Sequence, residues 1–166
     1  TPAGYRGEGV FDNFWKLIDR WNATFVCTFP TAAAALLQRP VGDSDISTLN
    51  GAFCGSAPLP IELFKRFQEV TGVEIIEGYG LTEATCLVSC NPKEGQRKVG
   101  SVGIPLPHTK IKICSFNKSD QLDKILGIDE IGEICVANAG VNIGEVYKSE
   151  AANIGLFVEK DYLRTG

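Results

Sequence analysis

Residues 11–77 alternate between helical and strand patterns, and this alternation most constrains the fold. Apolar residues recur with a helical period over 11–21, 31–38 and 60–72, and short apolar runs lie at 23–29, 49–55 and 73–77. Strands that alternate with helices favour parallel pairing, in a sheet covered by helices on both faces. The alternation therefore predicts an α/β fold, with a partial parallel sheet and flanking helices in a flavodoxin-like subdomain.

Local signals give expectations for single residues in this region. Thr31 is the predicted N-cap of the second helix, because its hydroxyl can accept a bond from a free backbone N–H. Gly72 suits the C-terminal cap of the third helix, since glycine adopts a left-handed conformation without a steric penalty. We expect Leu63, Phe67 and Val70 to form the buried face of that helix.

The pattern changes after about residue 95, where glycine and proline become frequent and helical periodicity is lost. Residues 110–116 and 131–137 are predicted strands, and the polar stretch between them, 117–130, indicates a hairpin excursion. We therefore expect an α/β subdomain over residues 1–95, followed by a small β-barrel-like subdomain over 96–166.

Composition and charge exclude several classes of protein. The 166 residues carry a net charge of −4, which argues against broad electrostatic binding to nucleic acid. No stretch reaches the about 18 consecutive apolar residues of a membrane span. The six cysteines form no CxxC pair and lie in apolar runs, which is typical of buried thiols in a reducing compartment. We therefore expect a cytoplasmic protein without a membrane span.

Two glycine-containing segments, 54–60 and 77–83, each follow a predicted parallel strand. Ligands of open α/β sheets bind beyond the carboxyl ends of the strands. Tyr79 offers a ring for stacking, Thr82 a hydroxyl for a phosphate oxygen, and Glu83 a hard oxygen ligand for Mg²⁺. These groups suit a nucleotide. The same letters also suit an ordinary turn at Gly-Tyr-Gly and a helix-entry loop at Gly-Ser-Ala-Pro, so both interpretations stay open on spacing alone.

Five motifs in order resemble the adenylate-forming superfamily, whose members include acyl-CoA synthetases, luciferase-like enzymes and the adenylation domains of peptide synthetases. The motifs are GAFCGSAPLP (51–60), EGYGLTEAT (77–85), VGSVGIPLP (99–107), GEICV (132–136) and YLRTG (162–166). Their order and rough spacing match from about residue 9 onward. The Gly-Leu-Thr-Glu form of the second motif is most similar to fatty acid and aryl acid CoA ligases.

The resemblance implies a role for each matching residue. Tyr79 would stack on the adenine, Thr82 would lie near the α-phosphate, and Glu83 would bind Mg²⁺. Thr82 and Glu83 are the implied catalytic residues. The implied nucleotide-binding residues are Gly55, Ser56, Ala57, Pro58, Glu77, Gly78, Tyr79, Gly80, Leu81 and Thr82.

The resemblance also implies a reaction in two steps. A carboxylic acid attacks the α-phosphate of ATP to give an acyl-adenylate, and the thiol of CoA then displaces AMP. The implied cofactors and small-molecule partners are ATP or AMP, Mg²⁺, CoA and a carboxylic acid. A peptide-synthetase-type adenylation domain and a non-catalytic nucleotide-binding homologue are the alternatives. An open sheet edge would allow two copies of the chain to pair as a homodimer.

Parts of the family pattern have no match in these residues. The phosphate loop with its lysine, the aspartate that follows Arg-Thr-Gly, and the small C-terminal domain with its catalytic lysine are absent from the sequence. After Glu133–Val136 the family shows Arg-Gly-Pro and then Gly-Tyr, whereas residues 137–147 are ANAGVNIGEVY. No site contact is therefore assigned to this segment, and we expect the chain to be an internal fragment of a longer enzyme.

The expected fragment should not complete adenylation. Because the phosphate loop and the C-terminal domain, each with its lysine, are missing, the purified 166 residues should release no pyrophosphate from ATP in the presence of Mg²⁺ and a carboxylic acid. Mass spectrometry for acyl-AMP, with heat-denatured protein as the control, provides the measurement. Formation of acyl-AMP by the 166-residue chain would contradict the expectation.

Overall fold

The computed structural model describes residues 2–166, and the chain divides into two compact units. The first unit runs to Tyr79 and resumes over Cys90–Gly103. The second unit consists of Gly80–Ser89 and Ile104–Gly166. The subdomain bounds predicted from the sequence, 1–95 and 96–166, stay a prediction.

Helices and parallel strands alternate through the first unit, as the sequence predicted. Strands β1, β2 and β3 pair in parallel, with Val26 opposite Ala52 and Cys54 opposite Glu77. The elements in chain order are α1 (Val10–Trp21), β1 (Phe25–Thr28), α2 (Pro30–Leu36), β2 (Gly51–Cys54), α3 (Ile61–Thr71) and β3 (Ile75–Leu81). The predicted α/β fold with a partial parallel sheet is confirmed.

The core of the first unit consists of apolar side chains from the helices and the parallel strands. Phe67 and Leu36 are fully buried, and Trp15 and Ile75 are nearly so. The indole nitrogen of Trp15 donates to the Arg39 carbonyl at 3.2 Å, so burial leaves that polar atom with a partner.

Two local predictions for the helices were wrong. The N-cap of α2 is Phe29, not Thr31, because Pro30 takes the first helical position, where its fixed φ and missing N–H cost nothing. On α3, Val70 is 48% exposed and Thr71 is buried instead. The Thr71 hydroxyl donates to the Phe67 carbonyl at 2.7 Å and accepts from the Val73 N–H, and this pairing makes its burial inexpensive.

The turn predicted at Gly78–Gly80 is also wrong, because β3 continues as a strand to Leu81. The chain turns only in the 3₁₀ segment Thr82–Ala84. Neither Gly78 nor Gly80 has a left-handed backbone. Glycine at 80 serves a close approach of the backbone, described below, and does not serve to bend the chain.

The second unit is mainly antiparallel β-structure, which confirms the predicted small β subdomain. Its five-stranded sheet has the order β7-β6-β8-β10-β9, and β6 and β7 form the predicted hairpin. The strands are β6 (Lys110–Phe116), β7 (Leu122–Ile125), β8 (Glu133–Ala137), β9 (Phe157–Val158) and β10 (Tyr162–Arg164), with a short helix α4 (Glu150–Asn153). Strands β4 (Cys86–Cys90) and β5 (Ile104–Pro105) follow β3 along the chain.

Within residues 2–166, no helix combines the length and the apolar character that crossing a bilayer requires.

Arg164 is the centre of an ionic cluster that fixes β10. Its guanidinium donates to both carboxylate oxygens of Asp120, at 2.8 and 2.9 Å, and to Glu133 at 2.9 Å. It also lies 3.7 Å from the centre of the Phe116 ring. Burial alone would raise the pKa of Glu133, but the bonds from Arg164 and from the Gly166 N–H outweigh burial and lower it. The pKa of Asp120 is lowered mainly by the bond from Arg164.

Replacing Arg164 with Met should reduce stability in a pH-dependent way. At pH 7 the loss should be about 1–2 kcal/mol, because the half-buried Glu133 carboxylate loses its charge-assisted bonds, whereas solvent screens the exposed Asp120 pair. The folded-state pKa values of Asp120 and Glu133 lie below their unfolded values, so the cluster stabilises fully above about pH 4.5 and loses its effect as pH falls through the folded values. Urea unfolding at pH 7 and pH 3 should show the difference from wild type shrinking at pH 3.

Arg66→Met is the matched control for this measurement, because Arg66 is exposed and has no ion pair within the described chain. It should leave the free energy of unfolding almost unchanged at both pH values. An equal loss for Arg164→Met at pH 7 and pH 3 would show that packing, and not charge pairing, accounts for its effect.

Candidate functional site

In the first unit, the predicted nucleotide-binding residues Gly55–Pro58 directly follow β2, and Glu77–Tyr79 lie within β3. The register pairs Cys54, the last residue of β2, with Glu77. Gly55 and Gly78 each come directly after one of these paired residues, so they lie side by side. A Cβ added at Gly55 would lie 3.3 Å from the Gly78 carbonyl oxygen and 3.0 Å from the Phe53 ring. The structure therefore brings Gly55 and Gly78 together, and glycine at 55 permits that approach.

The loop after β2 presents backbone and small side chains. Gly55 is buried, whereas Ser56, Ala57 and Pro58 are exposed. Ser56 has a left-handed backbone with φ of 68°, a conformation that residues with a side chain seldom adopt. The loop then enters α3. A flat ligand could lie against such a loop without meeting a large side chain.

Glu77 is buried, and both its carboxylate and its carbonyl have partners inside the first unit. Its Oε2 accepts from the Gly100 N–H at 3.0 Å, and its carbonyl oxygen accepts from the Asn91 N–H at 2.8 Å. Asn91, which is also buried, donates through Nδ2 to the Ser101 carbonyl and accepts from the Lys98 N–H. Glu77 and Asn91 therefore hold the loop 98–101 by its backbone.

Tyr79 is half-buried at the end of the part of β3 that belongs to the first unit. Because side chains alternate along a strand, Tyr79 and Glu77 share one face of β3 and Gly78 lies on the other. No hydrogen bond involves the Tyr79 hydroxyl within residues 2–166, and part of the side chain is accessible to solvent.

In the second unit, Gly80 lies against the backbone of Cys86. A Cβ at position 80 would lie 1.8 Å from the Cys86 carbonyl oxygen and 2.8 Å from the Leu87 Cα. Both contacts are with backbone, so no side-chain rotation could relieve them. Gly80 is thus required for the two chain segments on either side of the Thr82–Ala84 turn to pack together.

The Thr82–Ala84 turn carries the two implied catalytic residues. Thr82 is exposed, and its hydroxyl makes no hydrogen bond within the described residues. Glu83 is half-buried, and its Oε1 accepts a 2.6 Å hydrogen bond from the Tyr147 hydroxyl. That bond favours the ionised carboxylate and lowers the pKa of Glu83. In return, the bond to Glu83 raises the pKa of Tyr147.

The residues that close the turn have an unusual backbone. Thr85 and Cys86 are both left-handed, with φ of 56° and 83°. A β-branched residue in this conformation is an outlier. The Thr85 hydroxyl donates to the Gly140 carbonyl oxygen at 2.5 Å, and a Cβ at Gly140 would lie 2.7 Å from the Thr85 Cβ. A close contact with the 137–147 segment therefore accompanies the strained backbone.

Glu83 could bind Mg²⁺ together with substrate phosphates, but not as part of a cage of several side chains from the described chain. Among residues 2–166, no group of three or more His, Cys, Asp or Glu side chains could form a cage for a metal ion. Mg²⁺ is commonly held by one or two carboxylates together with substrate phosphates. One ionised carboxylate beside an unpaired threonine hydroxyl fits that second arrangement.

Three residues that contact the turn were missed by sequence reasoning: Thr85, Gly140 and Tyr147. The last two lie in the segment 137–147, whose letters depart from the adenylate-forming pattern and which was therefore given no site contact. The one available signal was a tyrosine close to the position where the family shows Gly-Tyr. Thr85 gave no signal, because its role depends on a backbone conformation.

Comparison with known proteins assigns the class. A family model described as AMP-binding enzyme matches residues 5–144, which is most of the chain. The chain therefore belongs to the AMP-binding enzyme family, and the resemblance found in the motifs is confirmed.

Several relatives of similar sequence are CoA ligases. A marinolic acid–CoA ligase from Pseudoalteromonas sp. (strain SANK 73390) is 37% identical over 163 residues, which are 98% of this chain and 25% of that protein. A long-chain-fatty-acid–CoA ligase from Bacillus subtilis (strain 168) is 35% identical over 81% of this chain and 24% of its own length. The chain thus spans about a quarter of the length of the curated relatives it matches.

Solved structures of similar proteins contain nucleotides. The anthranilate CoA ligase AuaEII in complex with anthranoyl-AMP superimposes with a TM-score of 0.81 and 26% identity, over 95% of this chain and 29% of that one. ATP-bound MatB from Rhodopseudomonas palustris gives a TM-score of 0.81 and 27% identity, over 94% of this chain and 30% of its own. The likeness extends over nearly all of this chain.

Gly80→Ala should be strongly destabilising. The new methyl group would overlap the Cys86 carbonyl oxygen, so the backbone must move, at a cost of about 3 kcal/mol or more. Urea unfolding measures the loss. Gly127→Ala is the control, because its methyl group would meet only the end of the Glu130 side chain at 3.3 Å. Equal stability of the two variants would contradict the close approach at Gly80.

Proposed function

We propose that this chain is part of an AMP-forming acyl-CoA synthetase, which activates a carboxylic acid with ATP and transfers the acyl group to CoA. The parent protein, as we use the term, is the longer enzyme of which the chain would form a part. The observation that carries the proposal is the oriented Glu83 carboxylate next to Thr82, whose hydroxyl has no partner among residues 2–166, on a turn that directly follows β3. Similarity to CoA ligases over almost the whole chain supports it.

Residues of the first unit would bind the adenine. The exposed Ser56–Pro58 loop has no large side chain, and Tyr79 offers a partly exposed ring. Stacking on an aromatic side chain stabilises a base by about 1–3 kcal/mol. Gly55 and Gly78 would line this region with backbone, and Glu77 would contribute through the loop 98–101 that its carboxylate holds.

Residues of the second unit would act on the phosphates. Gly80 and Leu81 would separate nucleotide from acyl carboxylate, and the Thr82 hydroxyl would donate to an oxygen of the α-phosphate. Glu83 would hold Mg²⁺, which would neutralise charge on the phosphates when bound. Adenylyl transfer depends on positioning and on charge neutralisation, so the contribution of these residues is a hydroxyl and a carboxylate, and the reaction needs no nucleophilic side chain.

The proposed reaction has two steps. The acid carboxylate oxygen bonds to the α-phosphorus as the bond to the pyrophosphate oxygen breaks, which gives acyl-AMP and pyrophosphate. The thiol sulfur of CoA then bonds to the acyl carbon, AMP leaves, and the thiol proton passes to solvent. We also propose a cytoplasmic location, and a homodimer formed by pairing of the β1 edge of the first sheet.

Substitutions at Tyr79 and Glu83 in the parent protein test this proposal. Tyr79→Ala should raise the KM for ATP about tenfold, because a stacking contact is lost, and Tyr79→Phe should stay near wild type because the ring remains. Glu83→Ala should lower the rate of acyl-AMP formation about 100-fold or more and change its Mg²⁺ dependence. Pyrophosphate release with varied ATP and Mg²⁺ provides both measurements.

The alternatives give different outcomes in the same experiment. Transfer of the acyl group to a carrier protein and not to CoA would indicate a peptide-synthetase-type adenylation domain. Binding of nucleotide without pyrophosphate release would indicate a non-catalytic homologue. An unchanged rate and unchanged Mg²⁺ dependence in Glu83→Ala would refute the assignment of Glu83 as the metal ligand.

A further inference from the structure

The turn that carries Thr82 and Glu83 is held by a segment to which the family pattern assigned nothing. Two contacts join the turn to residues 137–147, and both lie within the second unit. One is the Thr85 hydroxyl on the Gly140 carbonyl, and the other is the Tyr147 hydroxyl on Glu83 Oε1 at 2.6 Å. No other side chain among residues 2–166 donates to the Glu83 carboxylate.

Hydrogen bonds to its backbone N–H and its backbone carbonyl fix the position of Tyr147. Its N–H donates to Asn153 Oδ1 at 2.9 Å, and its carbonyl oxygen accepts from Asn153 Nδ2 at 2.7 Å. The same Asn153 nitrogen donates to the Ser149 carbonyl at 3.1 Å. The side chain of Asn153 therefore closes a loop around Tyr147, and Tyr147 in turn orients Glu83.

We propose that Tyr147 is a positioning residue, which holds the Glu83 carboxylate in the orientation that binds Mg²⁺, with Asn153 as its support. This inference rests on the proposed function, since it assumes that Glu83 is the metal ligand. A phenol suits the task because it donates one strong bond to one carboxylate oxygen and leaves the other oxygen for the cation. Groups that orient metal ligands in this way contribute strongly to metal affinity.

The chemistry also explains why a tyrosine serves better here than a lysine or an arginine. A cation beside Glu83 would neutralise the carboxylate and repel Mg²⁺. The neutral hydroxyl of Tyr147 keeps the negative charge on Glu83 available while it restricts rotation of the side chain. The left-handed backbone at Thr85, held by Gly140, fixes the other end of the same turn.

The test compares Tyr147→Phe with wild type in the parent protein. Tyr147→Phe should raise the Mg²⁺ concentration for half-maximal pyrophosphate release about tenfold, with the KM for the acid unchanged. Binding of Mn²⁺ in the presence of AMP, followed by electron paramagnetic resonance without turnover, should weaken by a similar factor. Asn153→Ala should give part of the same effect, because it loosens Tyr147 without removing the hydroxyl.

A double variant separates positioning from a general structural role. Tyr147→Phe added to Glu83→Gln should cause no further change in Mg²⁺ dependence, because both changes remove the same arrangement. Tyr162→Phe is the matched control, since the Tyr162 hydroxyl makes no hydrogen bond within the described residues. It should leave the Mg²⁺ dependence and the Mn²⁺ binding as in wild type.

Different results would contradict the role of Tyr147 and the proposed function. An active parent in which Tyr147→Phe leaves Mg²⁺ dependence and Mn²⁺ binding unchanged overturns the inference. Tighter Mn²⁺ binding in Tyr147→Phe also overturns it, since Tyr147 would then compete with the metal. A wild-type parent without pyrophosphate release contradicts the proposed function. In that case, additive losses of stability for Glu83→Gln and Tyr147→Phe in urea would overturn the contact as well.

Discussion

The close approach of Gly80 to the Cys86 carbonyl is the constraint on which the candidate site depends. With no Cβ at position 80, the chain leaves β3, makes one 3₁₀ turn and returns at backbone contact distance. The short turn leaves Thr85 and Cys86 in left-handed conformations that cost free energy. The hydroxyl of Thr85 on Gly140 and the hydroxyl of Tyr147 on Glu83 offset part of that cost. The strained backbone and the two hydrogen bonds that offset its cost thus lie next to Thr82 and Glu83, the residues proposed to act on phosphate.

Burial separates the predicted site residues into two kinds. Glu77 is buried, and its carboxylate and carbonyl are satisfied by the Gly100 and Asn91 amides. A buried carboxylate without partners would be costly, so these bonds make its position in β3 tolerable. Thr82 is exposed, and within residues 2–166 neither its hydroxyl nor that of Tyr79 makes a hydrogen bond. The first kind of residue shapes the loops, and the second kind is available to a ligand.

Periodicity predicted most of the fold, because the elements of the first unit bury continuous apolar faces. The alternation of α1 to β3, the parallel pairing and the β6–β7 hairpin all follow from patterns visible in the letters. Errors arose where a polar or a glycine residue took a role that its average preference does not indicate. Thr71 is buried because local backbone groups satisfy its hydroxyl, and Gly80 lies in a strand because a neighbouring carbonyl needs the space. Both depend on three-dimensional neighbours that no local window contains.

The 137–147 segment shows why a departure from a family pattern need not remove a contact. The bond from Thr85 ends on the backbone carbonyl of Gly140, and any residue has such a carbonyl. Only the size of residue 140 is constrained, because a Cβ there would lie 2.7 Å from Thr85. The bond to Glu83 needs a phenol at the right place, and Asn153 sets that place by holding the backbone of Tyr147. The sequence of the 137–147 segment can therefore vary while the carbonyl of a small residue at 140 and the hydroxyl of Tyr147 still hold the turn.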